Sequence, residues 1–450
     1  MKKSTQALLI LILLFFLSGC SLAGVDAEGI MRPPKATGEQ AGIQLALEKT
    51  ASGNVTFKYP RTGDFRSAIV MYDLNGDDEK EAIAFFRPQT EGAGAHMCLL
   101  EKKNGEWRVL CEKIGPGADV DRLVFADFDN NGSKEIIVGW TLPTTRDKSC
   151  SVYKLDEGRV NELMANEFYT EMAAFDIDRD GKDELLTVFS SDQGSAAKLL
   201  SMNDSTMEKM DSVRLDPAIT NYTNVQTTHL DSETPALILD GYVSSSTLAT
   251  EILYWNEEKQ RLLAPFNDET GNAIYKRDVS FPPMDINKDG NIDFPKQIGL
   301  PGMDVLSETL PQNTAFSPLI EWSTFNKKDE SFTHIGSTLV GPTEEVWLNI
   351  DLWEEKLSQE EIHFTALQNN RNRSLSLYEY DPVTAALSEP LFTIQAFGQY
   401  VWENRGESTK GFQKIESPAG IILAIRFGDN KKISYSLQSL IISSIEVRTE

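Results

Sequence analysis

Carboxylates recur along this chain at spacings that suit ion binding. In Asp176-Ile177-Asp178-Arg179-Asp180-Gly181-Lys182-Asp183-Glu184, acids occupy alternate positions, a glycine follows and Glu184 closes the run. Along an extended loop alternate side chains share one side. Asp176, Asp178 and Asp180 can therefore converge on one centre, with Gly181 permitting the turn and Glu184 completing the shell. Several hard oxygen donors at this spacing select Ca2+ over Zn2+ or a softer metal. The same order returns as Asp127, Asp129, Asn131, Gly132 and Glu135, and again as Asp285, Asn287, Asp289, Gly290 and Asp293. Asp73, Asn75, Asp77 and Glu81 form a weaker copy, with Asp78 where glycine is expected. A side chain tolerates the left-handed conformation less well there. A fifth stretch keeps Asp231 and Glu233 but sets Pro235 at the next ligand position, so no metal is expected in it.

Other chemistry leaves little trace. The sequence has no C-x-x-C, H-E-x-x-H, G-x-S-x-G or P-loop pattern. His96, His229, His334 and His363 stand in different segments without ligand or triad spacing. Catalytic residues are accordingly assigned to none of these positions.

The acidic stretches need elements to hold them. Each follows a short apolar segment and precedes another, as in SAIVMY before Asp73 and EAIAFF after it. A further pair of strand-like runs comes next, joined by a tight turn; in the first unit this is CLLEKKNGEWRVLC, where Asn104-Gly105 is a strong two-residue hairpin signal. The unit repeats about every fifty residues, anchored at Asp73, Asp127, Asp176, Asp231 and Asp285. Four strands per unit at a fixed period is the pattern of propeller blades. An EF-hand uses a similar loop but needs a helix after it, whereas β-branched and aromatic residues follow here. The segment Asn54–Asp64 reads as a lone outer strand whose natural use is to close the ring against the last blade.

The loops resemble the D-x-[DN]-x-D-G-x-x-[DE] signature of FG-GAP/VCBS repeats, as in integrin-alpha-like propellers. That resemblance implies structural Ca2+ at several sites, each in a hairpin between two blade strands. The fold class expected is mainly β: a β-propeller of at least five four-stranded blades, five of them recognisable over residues 54–335, followed by a small α+β domain over 336–450. One or two diverged blades are the alternative for that last segment. Trp347, Trp353 and Trp402 within it read as core.

At the start, Lys2-Lys3 precede the apolar run Ala7–Leu17, which is too short to span a bilayer as a stable helix. Leu17-Ser18-Gly19-Cys20 then resembles the bacterial lipobox. Residues 1–19 are expected to be a lipoprotein signal peptide and Cys20 the lipidated first mature residue. Residues 20–53 read as a tether with a short helix near 41–50. Localisation follows as lipid-anchored on the extracytoplasmic face of the cell membrane. Counting outward from the Asn104-Gly105 turn sets Cys98 opposite Cys111. The pair could be a disulfide or two reduced thiols in contact, and the sequence leaves both open.

With 68 acidic against 43 basic residues and a net charge of −25, the chain repels phosphate backbones, which excludes nucleic acid as a partner. Two functions remain. One is a Ca2+-stabilised scaffold that binds a protein, peptide or glycan. The alternative is a glycan-active lyase or hydrolase working in the propeller channel.

Overall fold

A computed structural model describes residues 38–448 apart from 52, 90–93, 143–146, 192–193, 278–280, 405, 417–419 and 430–432. Cys20 and the signal segment lie outside the described residues. The chain is mainly β, and the described strands form six antiparallel sheets.

Helix α1 (Glu39–Thr50) comes first. The first sheet holds β1 (Val55–Phe57), β2 (Ile69–Tyr72), β3 (Glu81–Pro88), β4 (His96–Lys103) and β5 (Glu106–Ile114). The second runs β6 (Asp119–Ala126), β7 (Glu135–Thr141), β8 (Lys148–Asp156), β9 (Arg159–Tyr169) in sequence order. The third repeats this with β10 (Glu171–Phe175), β11 (Glu184–Ser191), β12 (Gly194–Asn203) and β13 (Thr206–Leu215). The fourth comprises β14 (Tyr222–Asp231), β15 (Thr234–Tyr242), β16 (Leu248–Asn256) and β17 (Arg261–Leu263), with β18 (Lys276–Arg277) also on β16.

Burial explains the strand compositions. The second strand of each unit is covered on both faces, so EAIAFF, EIIVGW and ELLTV are continuous apolar runs. The outermost strands alternate between half-buried and exposed positions, and β5 and β13 read accordingly. Successive sheets pack face to face. Ile83, Phe85, Met97 and Leu99 of the first meet Leu123, Ile136, Val138 and Trp140 of the second. Further shared cores join the second to the third and the third to the fourth.

Two expectations are corrected here. The Asn54–Asp64 segment does not pair with the last sheet: β1 pairs with β3, Thr56 opposite Arg87. Strand β3 outruns its neighbour β2, which covers only Glu81–Ala84. Its remaining edge has unpaired backbone groups, and β1 supplies a partner from close by in sequence. Cys98 and Cys111 do not face each other either. Register from the turn holds through Leu100 opposite Val109; it then slips, so Leu99 opposes Cys111 and Cys98 opposes Glu112. A bulge at Leu110 turns the two thiols to opposite faces. Cys98 joins the core beside α1, Cys111 packs toward the second sheet, and both are free.

The chain then forms β19 (Asp293–Ile298), helix α2 (Met303–Leu306), β20 (Thr314–Phe316), β21 (Leu319–Asn326), β22 (Ser331–Val340) and β23 (Val346–Asn349). After helix α3 (Glu354–Gln359) come β24 (Phe364–Asn369), β25 (Ser374–Asp381), β26 (Ala386–Gly398), helix α4 (Gln399–Glu403), β27 (Gln413–Glu416) and β28 (Ile421–Phe427). Helix α5 (Tyr435–Ser443) and β29 (Ile445–Val447) end the described chain. The fifth sheet is ordered β19-β21-β22-β23-β29 and the sixth β20-β24-β25-β26-β28-β27. Residue 336 thus falls inside β22, and one core joins Leu300, Leu319 and Leu339 to Trp353, Phe392 and Ile441. Trp347 and Trp402 are also buried. Among the described residues no helix is long and apolar enough to cross a membrane.

Candidate metal centres

The acidic loops join the first two strands of the first three units, and in the fifth the loop runs from an isolated bridge at Met284 into β19; their carboxylates first organise the backbone. Asp127 accepts from the amides of Asn131 and Gly132 at 3.1 and 2.9 Å, and Asn131 accepts from Ser133 at 2.7 Å. Asp73 does the same for Gly76 and Asp78, and Asp285 for Asp289 and Gly290. In the third loop Asp176 accepts from Gly181, Asp178 from Asp180 and Asp180 from Lys182. The closing acid bonds back to the second residue of its own loop: Glu81 to Leu74, Glu135 to Phe128, Glu184 to Ile177 and Asp293 to Ile286. Such Asx-type bonds favour a left-handed backbone. Asp78 takes it at φ 66°, in the place held by Gly132, Gly181 and Gly290 in the other loops.

Two loops bring carboxylates into one cluster. One oxygen each from Asp127, Asp129 and Glu135 lie within 4.8 Å of one another, as do oxygens of Asp176, Asp178 and Glu184. Asp180 stays outside the third-loop cluster, its second oxygen 3.8 Å from the Lys182 ammonium. In the first and fifth loops an asparagine holds the third position. The Asn75 amide nitrogen donates to Asp77 and Glu81 at 3.1 and 3.3 Å, and that of Asn287 donates to Asp289 at 2.9 Å.

Both clusters could hold a metal ion, and their chemistry fits one. Asp129 Oδ1, Glu135 Oε1 and Asp176 Oδ1 are buried yet accept no hydrogen bond. Buried oxygens of this kind are costly unless something pairs with them. Burial raises the Glu184 carboxyl to about 8, with Asp178 beside it adding to the shift. Glu81, Glu135, Asp178 and Asp293 are raised in the same direction, again chiefly by burial. Every donor is oxygen.

Ammonium groups stand where cations would sit in two units, and sequence reasoning missed both. Lys154 on β8 bonds Asp129 and lies 3.6 Å from Glu135 Oε1. In the fourth unit the turn tightens, Asp231 pairing with Thr234 across β14 and β15, and the Lys327 ammonium sits 3.1 Å from Asp231. No local signal marks either lysine, because each arrives from a strand or turn distant in sequence.

The four inner strands β2, β6, β10 and β14 meet around a cavity of about 540 Å3. Tyr72 and Phe125 stack there with ring centroids 4.0 Å apart, and Phe65 stands edge-on to both. The lining carboxylates are Asp64 and Glu171, and Glu171 is held by Arg122 at 2.8 Å.

No family model and no curated protein matches the sequence. Solved structures with partial likeness include a Lactobacillus plantarum protein, 9% identical with a TM-score of 0.29 over 75% of this chain and 88% of that one. A Bacillus licheniformis rhamnogalacturonan lyase is 11% identical, with a TM-score of 0.30 over 74% and 76%. Sqt1 of Saccharomyces cerevisiae is 9% identical, with a TM-score of 0.30 over 82% and 86%. Scores of this size do not establish a common fold.

Proposed function

We propose that this chain is an exported lipoprotein, anchored through Cys20, whose sheets form a β-propeller stiffened by Ca2+ and used as a binding scaffold. The observation carrying this is the recurrence of one acidic loop at the same place in successive sheets, with buried carboxylate oxygens left unpaired in two of them. In the second loop Asp127, Asp129, Asn131 and Glu135 would hold the ion, and in the third Asp176, Asp178, Asp180 and Glu184. In the first the ligands would be Asp73, Asn75, Asp77 and Glu81, and in the fifth Asp285, Asn287, Asp289 and Asp293. A bound Ca2+ supplies charge neutralisation. The chain's own residues do the rest: backbone amides pre-orient the leading and closing acids of each loop, and the sheets behind them keep the loops from collapsing. Binding energy then becomes folding energy.

The cavity between the inner strands favours recognition over catalysis. Its floor mixes the rings of Phe65, Tyr72 and Phe125 with the polar side chains of Asp64, Arg122, Glu171 and Thr227, and Glu171 is already tied to Arg122. A protein, peptide or glycan with an apolar or ring-shaped group suits such a floor.

Thermal unfolding of the purified protein with chelator and with millimolar Ca2+ tests the proposal, beside an Asp176→Ala/Asp180→Ala variant. A rise in melting temperature with Ca2+, smaller in the variant, is expected. No rise in either would remove the metal loops and the scaffold built on them. Labelled fatty acid incorporated into the wild type but not into Cys20→Ala tests the anchor.

A further inference from the structure

The two loops with clustered, unpaired oxygens belong to adjacent sheets, and they touch. Asp183 stands immediately before Glu184, the closing acid of the third loop. Its carboxylate accepts from the Asp127 amide at 2.8 Å, and its own amide donates to the Asp127 carbonyl at 2.9 Å. Asp127 is the leading acid of the second loop. Both backbone groups of that residue are therefore held by one residue of the neighbouring loop. Lys134 of the second loop adds a contact at 3.8 Å to the same Asp183 carboxylate. Gly181 lies so close to Asn130 that a Cβ there would stand 2.8 Å from the Asn130 amide nitrogen.

From this geometry we infer that Asp183 is a positioning residue that makes the second and third loops take up cations as a coupled pair. The inference rests on the cation reading above. A cation in the third loop fixes Glu184, and through the adjoining peptide it fixes Asp183. That sets both backbone bonds of Asp127 before the second loop has bound anything. Part of the ordering needed at the second site is then already done, so the first ion raises affinity for the next. Repulsion between two dications opposes this, but the four carboxylates of the third loop outweigh one dication, and the three of the second, with Lys154 counted, match one. Glu135, fully buried with one oxygen that accepts no hydrogen bond and lies 3.6 Å from the Lys154 ammonium, is the group that exchanges this partner for the second ion. By reciprocity the coupling runs equally from the second loop to the third.

The test uses the full chain with Asp73→Ala and Asp285→Ala silencing the first and fifth loops, titrated with Ca2+ and read by native mass spectrometry. Coupling predicts few singly loaded molecules and an excess of doubly loaded ones, with the second ion bound roughly fivefold or more tighter than independent sites allow. Adding Asp183→Ala should return the distribution to the statistical one while both ions still bind. Asp183→Asn keeps an oxygen for the Asp127 amide and should restore the excess. A statistical distribution in the parent overturns the coupling and leaves the cation reading standing; binding of no ion at all overturns the cation reading itself. An Asp183→Ala variant that melts lower but keeps the excess also overturns the inference, since Asp183 would then be structural only. A second measurement leaves Asp183 intact: hydrogen exchange at the second-loop amides in Asp176→Ala. At fixed Ca2+ these amides should be protected less than in the wild type, and equal protection would refute the coupling.

Discussion

At the scale of single residues, buried charge in the acidic loops sets the behaviour of the metal-free protein. Burial lifts Glu184 from an ordinary 4.5 to about 8. The folded state then keeps a proton that the unfolded state releases, so the stability this group contributes is fully present below its ordinary range and is lost as pH rises toward 8. Melting temperatures in chelator should fall between pH 5 and 8, and less steeply in Glu184→Gln; a flat wild-type profile would contradict the burial argument. Saturating Ca2+ should reverse the trend, because the ion binds the ionised loop. Lys154 is the complementary case. Its ammonium sits between Asp129 and Glu135, part-filling the second site. Lys154→Met should cost the metal-free protein about 1–3 kcal/mol by leaving buried oxygens unpaired. The same change should tighten Ca2+ binding at that loop, since no resident cation has to leave. Calorimetric titration reads the second effect, and weaker binding in the variant would show Lys154 to be a support rather than a competitor.

At the scale of elements, the repeat was legible because each acidic loop is a local device: ligand spacing, turn residue and flanking apolar strands lie within about twenty residues. Register was less legible. The hairpins of the first, second, third and fifth sheets all slip after their fourth rung from the turn, at Leu110, Leu163, Met210 and Ile335. All four are apolar, but apolar residues such as Val109, Met164, Met207 and Phe332 stand at paired positions of the same strands, so residue type alone does not announce the bulge. Its regular place comes from the twist that four-stranded sheets need to pack on one another. One consequence is measurable. Alkylation in denaturant without reductant should label Cys98, Cys111 and Cys150 alike, since the bulge keeps the first two apart. Under native conditions Cys98 and Cys150 should react slowly: both are buried, and burial lifts the Cys150 thiol to about 12. An unlabelled Cys98–Cys111 pair in the intact mass would refute this register.

At the scale of the whole molecule, no hydrophobic cluster among the described residues joins the first sheet to the sixth, so the proposed ring is not closed by a shared core between them and each outer face is covered separately. On the first sheet, Ala82, Ala84, Phe86, Cys98 and Leu100 face away from the second and pack under Ile43 and Leu47 of α1. At the other end the sixth sheet shares a core with the fifth, and β20 crosses over to pair with β24, Phe316 opposite Leu367. This sharing was illegible because the blade rhythm in the sequence ends near Gly336, while the core it feeds continues on both sides. A chain ending at residue 335 would cut β22 short and strip the cover from Leu300, Leu319 and Phe316. Each large side chain so exposed forfeits about 1.5–3 kcal/mol, and several together exceed the margin of an ordinary domain. Residues 38–335 expressed alone should therefore aggregate, or bind a hydrophobic dye and melt without cooperativity, while the full chain melts as one unit through its shared cores. A soluble fragment with a sharp transition would show instead that the first four sheets and the remaining strands of the fifth hold together without the sixth.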